Sequence, residues 1–279
     1  MSIDKDNGRD RPIALITGGA KGLGYELSKV LAEQGHDLVL VGRNENALRQ
    51  ASERLSQSAD CKVVFYSLDL SQEQGPLELF NWLQEKKIEV DVLVNNAGSG
   101  SYGRFADSDL DILLKMQRLN MQTPSMLTRL LLPGMMRRGR GRILNLASLV
   151  AYYTSGPSWS AYVATKHYVL ALTRGLAEEL AGSGVSTTAL CPGPIDTEFS
   201  GLSGVNGTRL YRWLPKVDSE KIARAGIRGM MKGRTVVIPG FLNNILAFLG
   251  ELPPRVIAQA VFSFLLRGSP NPSPSQEAL

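Results

Sequence analysis

From residue 12 onward the chain alternates short apolar runs with longer stretches whose apolar positions recur at helical spacing. The runs lie at 13–17, 37–41, 62–66, 90–95, 142–147, 185–191 and 235–238, and they are unbroken and rich in Val, Ile and Leu. Such runs read as parallel strands covered on both faces. Amphipathic stretches between them predict helices at 23–34, 44–56, 75–85, 109–136, 162–181 and 219–231. Strict strand–helix alternation predicts an α/β fold, a single Rossmann-type doubly wound parallel sheet of about seven strands with helices on both faces. No Pro/Ser-rich linker divides it, so one domain is expected over 12–240, after a disordered polar N-terminus at 1–11.

Two segments leave this rhythm. Residues 194–215 follow the sixth strand, carry Gly201, Gly204 and Gly207, and read as a mobile substrate loop at the carboxyl end of the sheet. Residues 241–249 and 256–266 are strongly apolar but split by the turn around Pro253 and Pro254. Neither reaches the roughly 20 apolar residues that span a bilayer, so no transmembrane segment is expected. They predict a short helical extension over 241–267 that caps the domain, packs on a partner or touches a membrane surface. The Pro/Ser-rich tail at 268–279 reads as disordered.

Composition narrows the function classes. With 43% hydrophobic and 20% charged residues the chain can fill one core. The formal charge of +5 raises the question of nucleic acid. Its densest cluster, Arg137, Arg138, Arg140 and Arg142, falls where a helix ends and a turn begins, without interleaved aromatics. Cations there complement the helix dipole, so no nucleic-acid partner is expected, although the balance favours an anionic cofactor or substrate. Cys61 and Cys191 read as two buried thiols with neither disulfide nor metal spacing. With no apolar signal segment at the start, this points to the cytoplasm.

The candidate chemistry centres on Ser148, Tyr162 and Lys166. Tyr162 and Lys166, four apart on a predicted helix, share one face, so hydroxyl and ammonium can converge. Ser148 directly follows the fifth strand, where open α/β sheets place their sites. Such a trio can polarise a carbonyl. Taken singly, the tyrosine reads as a core aromatic and the lysine as an exposed helical cation.

A second feature follows the first strand: Thr17, Gly18, Gly19, Ala20, Lys21, Gly22, Leu23 and Gly24, opening a helix. Glycines let a pyrophosphate approach the backbone and rest on the helix N-terminus. A tight strand-to-helix turn is the plainer alternative. After the second strand, where NAD-binding proteins carry an acid for the ribose 2′-hydroxyl, this chain has Gly42 and Arg43. A guanidinium there can pair with a 2′-phosphate, and Lys21 adds a second cation, which favours NADP(H). A solvated Arg43 is the alternative.

These motifs, in order, resemble the classical short-chain dehydrogenases/reductases over 12–238: TGGAKGLG, Asp69, NNAG at 95–98, Asn120, Ser148, YVATK at 162–166 and CPGPIDT at 191–197. The resemblance implies a catalytic tetrad of Asn120, Ser148, Tyr162 and Lys166, with Asn120 anchoring a water chain. It implies that Asp69 and Leu70 contact adenine and that Asn96, with Ala97 and Gly98, borders the adenosine ribose. Lys166 would also hold the nicotinamide ribose, and Pro192, Gly193, Ile195 and Thr197 would line the carboxamide side. No metal site is implied. The glycine spacing differs from that of the extended, epimerase-containing branch, favouring the dehydrogenase branch.

In reduction the tyrosine would protonate the developing alkoxide. Work near neutral pH asks its pKa of about 10 to fall by about 3, or ~4 kcal/mol. An ammonium about 4 Å away supplies ~4 kcal/mol at an effective dielectric of 20, so Lys166 suffices in magnitude. Ser148 would hold the substrate oxygen. His167 points elsewhere on the helix and reads as structural. Tyr152 and Tyr153 line the pocket or pack at its periphery.

Phe199, Leu202, Leu210, Tyr211 and Trp213 suit a hydrophobic carbonyl compound, with core packing as the alternative. The apolar C-terminal segments resemble those of some short-chain reductases, which implies a long-chain 3-oxoacyl, steroid or other lipophilic ketone substrate. The family pairs its long helices across a dimer, so a homodimer is expected, a tetramer being the alternative. Against the NADP(H)-dependent carbonyl/alcohol oxidoreductase stand two readings: a non-catalytic NADP-binding scaffold or sensor, and a membrane-surface protein acting through its C-terminal helices.

Overall fold

Each apolar run forms a strand: β1 Ile13–Thr17, β2 Asp37–Gly42, β3 Val63–Ser67, β4 Val92–Asn95, β5 Gly141–Leu146, β6 Val185–Leu190 and β7 Val236–Val237. The structure is a computed structural model describing residues 11–153, 156–195, 203–252 and 255–267. The strands form one parallel sheet in the order β3-β2-β1-β4-β5-β6-β7. The order reverses between β1 and β4, and the crevice beyond their carboxyl ends is where such sheets bind ligands.

The helices are α1 Gly22–Glu33, α2 Glu45–Ser58, α3 Gly75–Glu85, α4 Leu110–Gln117, α5 Thr123–Arg137 and α6 Ser160–Glu179. They continue with α7 Arg209–Trp213, α8 Ser219–Met231, α9 Phe241–Glu251 and α10 Arg255–Leu266. On one face of the sheet Leu27 and Leu31 of α1, Leu48 of α2 and Ile222 and Ile227 of α8 share one core with Leu38, Leu40, Leu144 and Leu190. On the other, Leu79 and Leu83 of α3 and Leu127 of α5 meet Leu15, Leu93 and Ile143. Both faces of β1 and β2 are therefore dry, which is why their sequences lack alternation.

Three expectations need correction. The helix expected at 109–136 is broken by a π turn over Arg118–Gln122 that buries Asn120, because the wider turn re-aims one side chain while the apolar rows on either side continue. The loop at 194–215 is not wholly irregular: a 3₁₀ turn at Val205–Gly207 leads into α7, capped by Thr208. Of the two thiols only Cys191 is fully buried; Cys61 is half-buried. Within the arginine cluster, Arg138 and Arg140 lie 3.8 and 3.1 Å from Asp91 and Arg142 donates to the carbonyl of Gly184.

The apolar segments after β7 are helices α9 and α10, and both pack at the carboxyl end of the sheet. The Tyr153 hydroxyl donates to the Leu246 carbonyl, and the Tyr153 ring stacks on Phe262 at 4.5 Å. Among the described residues no helix is long and apolar enough to cross a membrane.

Candidate active site

The glycine turn is held by β4. Thr17 Oγ1 donates to the Val94 carbonyl and accepts the Asn96 and Ala97 N–H groups at 3.1 and 3.0 Å. Asn96 Nδ2 donates to the carbonyls of Thr17 and Gly18 at 3.0 and 3.1 Å. The Asn96 amide is thus committed to shaping the turn. Gly18 has φ +65°, and a Cβ at Gly24 would sit 2.0 Å from the Gly18 carbonyl. Only glycine permits this closeness. Gly19 is less crowded, its Cβ position 2.9 Å from the end of the Leu40 side chain. Gly22, Leu23 and Gly24 then open α1, whose N-terminus has no side-chain cap bond from Lys21. Its leading N–H groups lack helical partners and could receive an anion.

Arg43 is exposed at the end of β2, and its carbonyl accepts from Ser67 Oγ. Beyond β3 the Asp69 carboxylate accepts the N–H and hydroxyl of Ser71 at 2.9 and 2.7 Å. Burial pushes its pKa up, but the Ser71 and Gln72 hydrogen bonds and the Arg43 charge outweigh this and hold it below the usual range. Leu70 is buried and its carbonyl accepts from Thr123 Oγ1. A 2′-phosphate group, a pyrophosphate and an adenine edge would each find a suitable donor or wall here, so the residues fit a phosphorylated dinucleotide.

Ser148 follows β5 and caps the 3₁₀ turn Leu149–Tyr152, accepting from the Val150 N–H at 3.3 Å. Its side chain also hydrogen-bonds Tyr162 in the first turn of α6. One turn on, Lys166 places Nζ 5.6 Å from the Tyr162 ring centroid and donates to the Leu146 carbonyl at 2.8 Å. Asn120 Oδ1 accepts the Ser99 N–H, while Nδ2 donates to the Ser99 carbonyl and to Thr165 Oγ1. A Cβ on Gly98 would lie 3.2 Å from Asn120 Oδ1 and 3.8 Å from Lys166 Nζ. The β4 turn, the π turn and α6 therefore converge with Ser148 on one place.

The electrostatics correct the expected lowering of the tyrosine pKa. Burial raises the Tyr162 phenol, the neighbouring Tyr211 adds to this, and the Ser148 hydrogen bond opposes it. Lys166 is itself buried, and desolvation lowers its pKa to about 8. An ammonium whose own charge is destabilised by burial, with the Leu146 carbonyl as its hydrogen-bond partner, does not offset the dry surroundings of the phenol.

On the far side, the Pro192 carbonyl accepts the Leu149 N–H at 2.9 Å. A Cβ at Gly193 would lie 2.5 Å from Asn243 Oδ1 of α9, whose amide donates to the Pro239 carbonyl. Ile195 is half-buried, and Thr197, Phe199 and Leu202 lie outside the described residues. Leu210 is buried, but Trp213 is 59% exposed. Tyr152 and Tyr153 are both buried. His167 Nδ1 lies 2.9 Å from the Val163 carbonyl, a local helix contact.

Three contributors were not read from the sequence: Trp159, stacked on Tyr162 at 4.4 Å; Thr165, which takes the Asn120 amide; and Asn243. Trp159, three residues before the tyrosine in a short loop, carried the one usable signal.

The short chain dehydrogenase family profile matches residues 12–204. The ketoacyl reductase HetN of a Nostoc species is 34% identical over 259 residues, covering 87% of this chain and 85% of HetN. A short-chain dehydrogenase from Sphingobium yanoikuyae in complex with NADPH superposes with a TM-score of 0.75 at 28% identity, covering 82% of this chain and 88% of that one. A Burkholderia phymatum relative in complex with NAD gives 0.76 at 24% identity, with coverage of 86% and 92%, and speaks to the fold alone. With a seven-stranded sheet in this order and a profile match over most of its length, the chain belongs to the short-chain dehydrogenase family.

Proposed function

We propose that the protein is an NADP(H)-dependent carbonyl reductase acting on a lipophilic ketone or 3-oxoacyl compound. The observation that carries this reading is the Ser148–Tyr162 hydrogen bond with Lys166 one turn away, beside the glycine turn. The bound cofactor supplies the hydride. Thr17 to Gly24 and the α1 N-terminus would hold its pyrophosphate, with Arg43 and Lys21 at the 2′-phosphate. Asp69, Leu70 and Asn96 to Gly98 would border the adenosine, Lys166 the nicotinamide ribose, and Pro192, Gly193, Ile195 and Thr197 the carboxamide.

Ser148 Oγ would donate to the substrate oxygen, whose charge grows as the carbonyl becomes an alkoxide. Tyr162 delivers its proton to that oxygen. The raised phenol pKa keeps the proton in place at neutral pH until the far more basic alkoxide forms, which suits reduction. Lys166 steadies the tyrosinate left behind, and Asn120 holds the Ser99 and Thr165 positions through which a proton can return. Trp159, Tyr153 and Phe262 give the neighbourhood its apolar character. The ketoacyl name of HetN supports the same substrate class, and the cytoplasm is the matching compartment.

Leu110 and Leu114 of α4, Met136 of α5 and Tyr168 of α6 are exposed on the helices expected to pair, which supports a homodimer, a tetramer remaining the alternative.

The test is NADPH consumption across ketones and 3-oxoacyl thioesters graded by chain length and ring size. Turnover should rise with apolar size, and Tyr162→Phe should lower kcat by about 10²–10⁴ while NADPH still binds. Near-normal turnover by the variant would overturn the reading.

A further inference from the structure

The helices after β7 are two-sided. Asn243, Ala247 and Gly250 of α9 are buried against the domain, and Gly250 lies so close to the Tyr152 carbonyl that a Cβ would stand 2.6 Å from it. On the opposite side Phe241, Ile245, Phe248 and Leu249 follow helical spacing and face out, Phe241 84% and Phe248 63% exposed. In α10, Phe262 and Leu266 turn inward while Ile257, Val261 and Phe264 form an exposed row. Soluble surfaces rarely leave so many large apolar side chains together in water.

The charges around this face are mostly cationic. Among the described side chains of 205–217 and 241–267, Arg209, Arg212, Lys216 and Arg267 stand against one acid, Glu251. That acid is paired with Arg174 at 3.1 Å. The Arg209 guanidinium lies 4.2 Å above the Phe264 ring, and exposed Trp213 lies 6.0 Å from Phe264. A Trp–Arg–Phe group beside an apolar helix face matches the depth profile of a bilayer surface, where aromatics and guanidinium groups sit at headgroup level. A second copy of the chain would instead bring like charges against like.

We infer that α9 and α10 dock this protein in the plane of an anionic bilayer, with the Phe241–Phe248 face among the acyl chains and Arg209, Arg212 and Trp213 at the headgroups. Neither helix is long and apolar enough to span, so the association is peripheral. It does not depend on the chemistry proposed above.

The test is flotation of the full chain with vesicles of an equal mixture of phosphatidylcholine and phosphatidylglycerol, compared with phosphatidylcholine alone. The chain should float with the anionic vesicles, less so at high salt. F241S/F248S should weaken this about a hundredfold, as expected for two lost aromatic anchors. R212Q should weaken it about fivefold on anionic vesicles only. Both variants should keep the wild-type circular dichroism and nucleotide binding. A wild-type chain that stays at the bottom of the gradient, or a double variant that floats like wild type, overturns the inference. So does an assembly in vesicle-free solution that F241S/F248S dissolves while no flotation is seen, which would assign the face to a second copy.

Discussion

The indole of Trp159 lies on the phenol of Tyr162, ring centroids 4.4 Å apart and planes 15° apart. It is part of the apolar cover that raises the phenol pKa. Trp159→Leu keeps the site apolar but leaves space for water. The tyrosine should then ionise at lower pH, and since only its protonated form can act in reduction, the alkaline limb of kcat/KM should move down by about one pH unit. An unmoved limb would show that Trp159 does not set the ionisation of the tyrosine.

Arg43 gives the cofactor prediction. Arg43→Ala should weaken NADPH by about ten- to a hundredfold, the loss of a charge-assisted pair, and leave NADH unchanged. Isothermal titration with both nucleotides checks it, and equal losses would place the guanidinium away from the 2′-phosphate.

Lys166 gives a pH dependence with a definite sign. Its folded pKa of about 8 lies below the ordinary 10.5, so between these values the unfolded chain holds more protons than the folded one. Stability from this group therefore rises with pH across that window and is lost as pH falls through it. The shift corresponds to ~3 kcal/mol. Measured by urea unfolding without nucleotide, Lys166→Met should lose ground to wild type by about that amount between pH 7.5 and 10.5. A pH-independent difference would contradict the buried, strained ammonium.

Gly193 and Asn243 give a packing prediction. Gly193→Ala pushes a methyl into the Asn243 amide, 2.5 Å away, and should destabilise by about 1–3 kcal/mol. Asn243→Ala should relieve much of this, giving a coupling of about 1 kcal/mol in a double-mutant cycle read by urea unfolding. Additive losses would mean the helix and the turn are not in contact.

The sheet was legible because both faces of β1, β2, β4 and β5 are dry, so unbroken Val/Ile/Leu runs had one reading. Ser148, Tyr162 and Lys166 were legible because their spacing maps directly onto a strand end and one helix face. The π turn at Asn120 was not, since inserting one residue into a turn leaves Leu119 and Leu127 packed on the same core. The direction of the Tyr162 pKa was misread because Trp159, which covers the phenol, and Tyr211, which adds to the rise, come from outside the helix that carries it. The Asn96 amide also shapes the β1 turn, a use that only the folded approach of β4 reveals.

The contact between Gly193 and Asn243 also orders events in time. The ribosome delivers β6 and its Pro192–Gly193 turn well before it delivers α9, and α10 comes later still. A nascent chain can therefore assemble the glycine turn and close the sheet around β1, β4 and β5 before anything packs on the Pro192–Gly193 turn. The cover that α9 lays over Gly193 and Tyr152 comes last, and a chain halted before it would carry a formed sheet with that turn bare to water.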